Sequence, residues 1–369
     1  QTGAITQTTT ESSAGVFVPS LLTSSATGTT LNYSGNQIGS FSAINAVSGN
    51  VELVNTGGLA AANIDNRFGS ISVRDTTGNL NLGPLNATSI ALSALNGNIT
   101  QNAGFSTAGL LATESTSSTT LDHGSNRIGS LSARTTGEGS LNLTNLGPID
   151  ILGINVANGN ITVNNTGGIR SNTAAIAAPR GRISMTANSP LTIGSGGVAA
   201  SGDIVLAATN LTSAGNMTLN DPVTSSSGSI AMSAATNLVQ NGAVSAALGV
   251  TASAGVNLTF GPLATTVGSP VVYTSNGAAA VAPRGAAALP VIAPPTPVVA
   301  APPPIVAAPT PEVIAPAAPI SSSPADLVVA FLSSTERVLS NKDLDTLDPD
   351  KTSKKTKDGV VTEAQTCPR

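Results

Sequence analysis

The sequence predicts an all-β chain whose body is a parallel β-helix, a solenoid of stacked coils, followed by a proline-rich linker and a short helical or disordered tail. Three observations carry this reading. A motif recurs at fixed offsets, short strand-like units follow one another at close and regular spacing, and the composition suits a narrow aliphatic core. Of 369 residues, 38 are Gly and 23 Pro, Trp is absent, Tyr occurs twice and Phe six times, and 9% are charged. An average globular chain carries about 25% charged residues, so a compact enzyme with a charged shell fits poorly.

The body spans residues 1 to 275. Asn36-Gln37-Ile38-Gly39-Ser40-Phe41-Ser42 returns as Asn66-Arg67-Phe68-Gly69-Ser70-Ile71-Ser72 and as Asn126-Arg127-Ile128-Gly129-Ser130-Leu131-Ser132, at offsets of 30 and 90 residues. Sliding the chain by 90 also superposes Thr29-Thr30-Leu31 on Thr119-Thr120-Leu121, and Leu53 on Leu143. Within the repeats a shorter unit opens on Gly-Asn or Gly-Ser and then alternates apolar and polar residues, as in Gly97-Asn98-Ile99-Thr100 and Gly159-Asn160-Ile161-Thr162-Val163. Period-2 alternation after a turn signal is the pattern of a short, half-buried strand. A register sustained over such distances points to a solenoid, in which each coil repeats the environment of its neighbour. The expectation is a 30-residue coil with three strand units, roughly ten coils in all, and a rod of about 50 Å at ~4.8 Å per coil. Ile, Leu and Val should point inward, Ser, Thr and Asn outward, and Gly or Asn should occupy corners that need positive φ.

From residue 276 to 324 the pattern gives way to an Ala/Pro-rich spacer, with 13 of the 23 prolines between Pro283 and Pro324. Such a stretch cannot donate to a sheet and favours extended polyproline II. Residues 325 to 369 form a charged tail. Ser323-Pro324-Ala325-Asp326 has the form of a helix start, and a short helix is expected to about Leu339. All five lysines (Lys342, Lys351, Lys354, Lys355 and Lys357) fall in this tail.

Several classes drop out on composition. A net charge of -4 with so few aromatic residues gives neither the electrostatic footprint nor the stacking platforms of a nucleic-acid binder. No apolar run is long enough for a transmembrane segment. One cysteine, Cys367, cannot form an internal disulfide or a multi-cysteine zinc site.

The Asn-x-Ile-Gly-Ser-x-Ser units, the Gly-Asn-Ile-Thr strand starts and the Gly-Asn-x-x-Leu-x-Asn-x-Gly-Gly runs resemble the repeats of filamentous-haemagglutinin-type secreted exoproteins. The resemblance covers roughly residues 15 to 275. It implies a right-handed β-helix and secretion or cell-surface display by a Gram-negative bacterium. It further implies an outer-membrane transporter of the two-partner secretion type as export partner, and roles in adhesion or biofilm formation through host or bacterial surface glycans or proteins. The Asn-Pro-Asn-Gly-type motif of that family's secretion domain is missing, so the chain is read as a carboxy-terminal portion. Some family members keep a cysteine-bearing tail in the transporter, which makes Cys367 a candidate anchoring thiol.

No catalytic, cofactor-binding or metal-binding residue is expected. His123 follows Asp122, an inviting acid-base pair, but the 90-residue shift lays the two on Asn32-Tyr33, a polar turn. Arg67 and Arg127 share one repeat position and Arg74 and Arg134 another, which makes these four the candidates for a small basic face that would take acidic glycans. The alternative for all four is exposed corner residues that add solubility. Asn-x-Thr triplets such as Asn98-Ile99-Thr100 match glycosylation acceptors, yet the strand-start pattern generates them unaided. The leading functional expectation is a non-enzymatic adhesin stalk. The alternatives are a carbohydrate-active β-helical enzyme, which would need paired carboxylates or a cation cluster, and an autotransporter passenger. Asp65 and Asp75 should fall on consecutive faces.

Overall fold

A computed structural model describes residues 3–8, 15–212 and 214–277. The spacer from 278 onward, the tail, its expected helix and Cys367 lie outside the described residues. Within them, thirty strands join one continuous parallel sheet and no helix occurs. The chain winds about 13 coils, which at ~4.8 Å each make a rod of roughly 60 Å. The β-solenoid expected from the repeats is therefore the fold.

The coil is shorter than the motif offset suggests. Phe41 pairs with Leu21 and Ala61, and Ile71 pairs with Val51 and Ile90. The separation across one turn runs from 19, between Asn79 and Asn98, to 26, between Asp203 and Ser229. The 30-residue offset is thus one and a half coils, and the 90-residue offset four and a half. The second and third copies of the motif fall in one column, so that Ile71 stacks through Ile90 and Leu111 onto Leu131, whereas Phe41 of the first copy belongs to a different side. The physical reason is that every side makes the same demands. Each half-coil needs apolar residues inward, small polar residues outward and a tight corner, so one sequence unit serves either half.

The corners explain the Gly-Asn strand starts, in part differently from expectation. A side chain at Gly97, Gly159 or Gly181 would run into the backbone of Gly78, Gly139 or Gly159 one coil away. Close approach between coils, and not positive φ, excludes Cβ at these three positions. Positive φ does decide at Gly147 (99°) and Gly196 (91°). The residue after the corner glycine builds a ladder along the outside. Asn79 Oδ1 accepts the amide of Asn98 at 2.9 Å, Asn98 Oδ1 that of Ser118 at 3.0 Å, and Asn160 Oδ1 that of Arg182 at 2.9 Å.

Inside, stacked Ile, Leu, Val, Met and Ala form one uninterrupted core, from Leu31 and Ile38 at one end to Leu258 and Val271 at the other. Asparagine is not confined to the surface as expected. Asn36, Asn55, Asn126 and Asn145 are fully buried, as is Asp75. They face amides that the bends of the coil leave without a sheet partner: Asn55 Oδ1 accepts from Ile38 N at 2.7 Å and Asn145 Oδ1 from Ile128 N at 2.8 Å. A buried amide without a partner costs about 1–3 kcal/mol, which these side chains avert. At the last coil Phe260 and Tyr273 meet edge to face, ring centroids 5.0 Å apart, and cover the core.

Candidate functional site

The register assembles one outward column from residues far apart in sequence: Ile44, Asp65, Asn86, Ser106 and Arg127, each a coil from the last. Their neighbours Ile64, Leu85 and Phe105 are buried in the core, and strand alternation sends the column to the surface. The ladder slips on this side, between Phe41 and Ser42, between Asn66 and Ser70, and between Thr107 and Leu110. Such bulges bend strands and re-aim side chains. Here they flank a groove of about 450 Å³ whose walls include Pro84, Gly104 and Ser125.

A second groove, also of about 450 Å³, begins at Gly129, two positions beyond Arg127. Its column continues from Ser130 through Asp150 and Arg170 to Thr192. Pro148, Gly168 and Pro190 line it, leaving flat apolar surface beside the charges. The second groove lies further along the stack of coils and three positions to one side of the first, since its column runs back from Ser130 to Leu110 whereas that of Arg127 runs to Ser106.

Charge in the grooves is mostly neutralised. Asp65 Oδ1 accepts from Arg67 Nε at 3.1 Å and from Asn86 Nδ2 at 3.2 Å. Asp150 and Arg170 form a two-point pair, Nε to Oδ1 at 2.9 Å and Nη2 to Oδ2 at 2.8 Å. Those hydrogen bonds from Arg170 outweigh partial burial and hold the Asp150 carboxyl below its ordinary range, while Asp150 raises the guanidinium of Arg170. Arg127 is exposed and forms no ion pair among the described residues.

The four arginines singled out by repeat position do not make one face. Arg127 lines the first groove, and Arg67 is tied to it through Asp65. Arg74 and Arg134 fall in another column, running through Ser93 and Glu114, and Arg134 pairs with Glu114 at 3.3 Å. No hydrogen bond joins His123 to Asp122 among the described residues. The Nδ1 of His123 lies 2.8 Å from Ser125 Oγ, fastening a turn on the groove wall. Asp65 and Asp75 do diverge: Asp65 sits beside the groove, whereas Asp75 points inward and accepts from Asn55 Nδ2 and from the amides of Gly58, Thr77 and Gly78. Asn98 and Asn160 are spent on the corner ladder.

Asn86, Ser106 and Ser125 carried no signal in the sequence, since serine and asparagine are everywhere in this chain. Only the coil length places Asn86 and Ser106 beside Arg127, whereas Ser125 is near it in the sequence. No family model, curated protein or solved structure matches the chain.

Proposed function

We propose that the chain is the stalk of a secreted or surface-displayed bacterial adhesin, exported across a Gram-negative outer membrane by a two-partner transporter. In this reading it acts by extending and presenting itself, not by catalysis. The observation that carries the reading is a single core running unbroken through about 13 coils, an architecture in which length is the product. Outer ladders of Asn, Ser and Thr support it as well, because they cover the rod without the repulsion that stacked like charges bring. Residues 276 to 324 then serve as spacer, and residues 325 to 369, with Cys367, as anchor.

The test is to place the full chain, and a form lacking residues 325 to 369, behind a secretion domain of the two-partner type and to produce both with the transporter that recognises that domain. Surface retention and cell adhesion of both forms are then measured. The reading expects the full chain at the surface with raised adhesion, and the truncated form in the medium. Equal retention of the two forms contradicts the anchor, and unchanged adhesion contradicts the adhesin.

A second reading, a carbohydrate-active enzyme, is favoured by one feature, the long groove carrying Asp65, Arg127 and the His123–Ser125 contact. It predicts cleavage of a polysaccharide, read as new reducing or unsaturated ends.

A further inference from the structure

We propose that the two successive grooves form one binding track for an acidic polysaccharide whose carboxylates are widely spaced, with Arg127 as the anchor for a uronate. The proposal stands whether or not the rod is displayed on a cell.

The track follows the stack of coils. From Ile44 to Arg127 and on from Ser130 to Thr192, the columns cross eight coils, about 34 Å at ~4.8 Å per coil. A groove of that length, open at the surface and repeating its polar groups coil by coil, fits an extended polymer better than a compact metabolite. Its chemistry fits a sugar chain: amide and hydroxyl groups from Asn86, Ser106 and Ser125 can serve sugar hydroxyls, and Pro84, Pro148 and Pro190 offer flat apolar surface for ring C–H faces.

Charge then selects among sugar chains. Asp65 is occupied by Arg67 and Asn86, and Asp150 by Arg170. Arg127 is left as the guanidinium lining the track with no carboxylate partner among the described residues. A planar guanidinium matches a carboxylate in two-point geometry. One such group, flanked along the track by two aspartates, suits a chain with isolated carboxylates. A densely sulfated chain would need a run of unpaired cations, and the track offers it one guanidinium among ion-paired aspartates.

The test uses the full chain and fluorescein-labelled gellan and xanthan oligosaccharides, whose uronates are separated by neutral sugars. Binding is followed by polarisation at physiological ionic strength. At least one of the two should bind. Arg127→Gln should weaken it at least about tenfold, roughly 1.4 kcal/mol. Arg74→Gln, exposed on a different side, should leave it unchanged. Carboxyl reduction of the sugar should cost the native chain as much and cost Arg127→Gln nothing further. Circular dichroism of each variant verifies that the sheet is intact. The proposal is overturned if neither oligosaccharide binds, if Arg74→Gln weakens binding as much as Arg127→Gln, if a folded Arg127→Gln binds normally, or if heparin binds more tightly under the same conditions.

Discussion

Asn160 Oδ1 accepts the backbone amide of Arg182 at 2.9 Å, one coil away, and the same corner is bridged two coils on by Asp203 Oδ1 accepting from Ser229 N at 2.9 Å. Asparagine and aspartate therefore do one job in this ladder. The acceptor oxygen carries the contact and the charge adds only a solvated pairing with Arg182, so Asp203→Asn should keep the contact and shift the thermal midpoint little. Asp203→Ala removes the acceptor and should lower stability by about 1 kcal/mol. Calorimetry of the two variants side by side checks this, and equal losses would show that the charge matters after all.

Among the described residues, two carboxylates whose protonation the fold disfavours, Asp150 and Asp203, set a pH response. Hydrogen bonds from Arg170 to Asp150, and from the Ser229 amide and hydroxyl to Asp203, hold both carboxyls below the ordinary value of 3.8. A lowered folded value means stability that is present above the unfolded value and lost as pH falls through the folded one. The thermal midpoint should therefore be insensitive to these groups from pH 7 to about 4.5 and should fall below about 4. Both groups are largely solvated, so the loss is small. Replacing both with Asn should flatten that acid limb, and an unchanged limb would assign it to other groups.

Close approach between corners makes a sharper demand. Gly159→Ala drives a methyl group into the Gly139 carbonyl, and neither backbone can yield without disturbing its sheet. A loss of about 2 kcal/mol is expected. Gly124→Ala is the control, because nothing lies within 4 Å of a Cβ there, and it should be neutral or slightly stabilising. Denaturation midpoints that fall equally for both would refute the account of the corners.

The interior asparagines are the third structural element open to test. Asn145 accepts from Ile128 N at 2.8 Å and donates to Asn165 Oδ1 at 3.1 Å, so Asn145→Ala strands a buried amide and a buried carbonyl oxygen. The expected cost is about 2–3 kcal/mol. Hydrogen exchange at the Ile128 amide should accelerate well beyond that of amides several coils away, since a solenoid is stabilised by nearest neighbours. Uniform acceleration along the rod would contradict a local role.

The all-β solenoid was legible because alternation and corner glycines leave their mark on every unit. The coil length was not. Phe41 and Ile71 hold the same place in the motif although they lie on different sides, since the core asks for an aliphatic or aromatic side chain from either direction. Inward asparagines were half legible: Asn36, Asn66 and Asn126 open each copy of the motif, but that they turn inward depends on how the coils bend, which local pattern does not record. The groove was half visible. Arg67 and Arg127 share a motif position and Asp65 is near Arg67 in the sequence, but Asn86 and Ser106 join them only once the length of the turn is known.

That turn length is the claim on which the grooves, the columns and the ladders all depend, and cross-linking addresses it directly. Ser40 and Ala60 are Cα partners on adjacent strands, whereas Ser40 and Ser70 are motif equivalents on different sides. Neighbouring strands lie about 4.8 Å apart, within the Cα separation that a disulfide spans. With Cys367 replaced by Ser, mild oxidation should close a disulfide in Ser40→Cys/Ala60→Cys and leave Ser40→Cys/Ser70→Cys reduced. A disulfide in the second pair and none in the first would restore the 30-residue coil and dissolve the binding track with it.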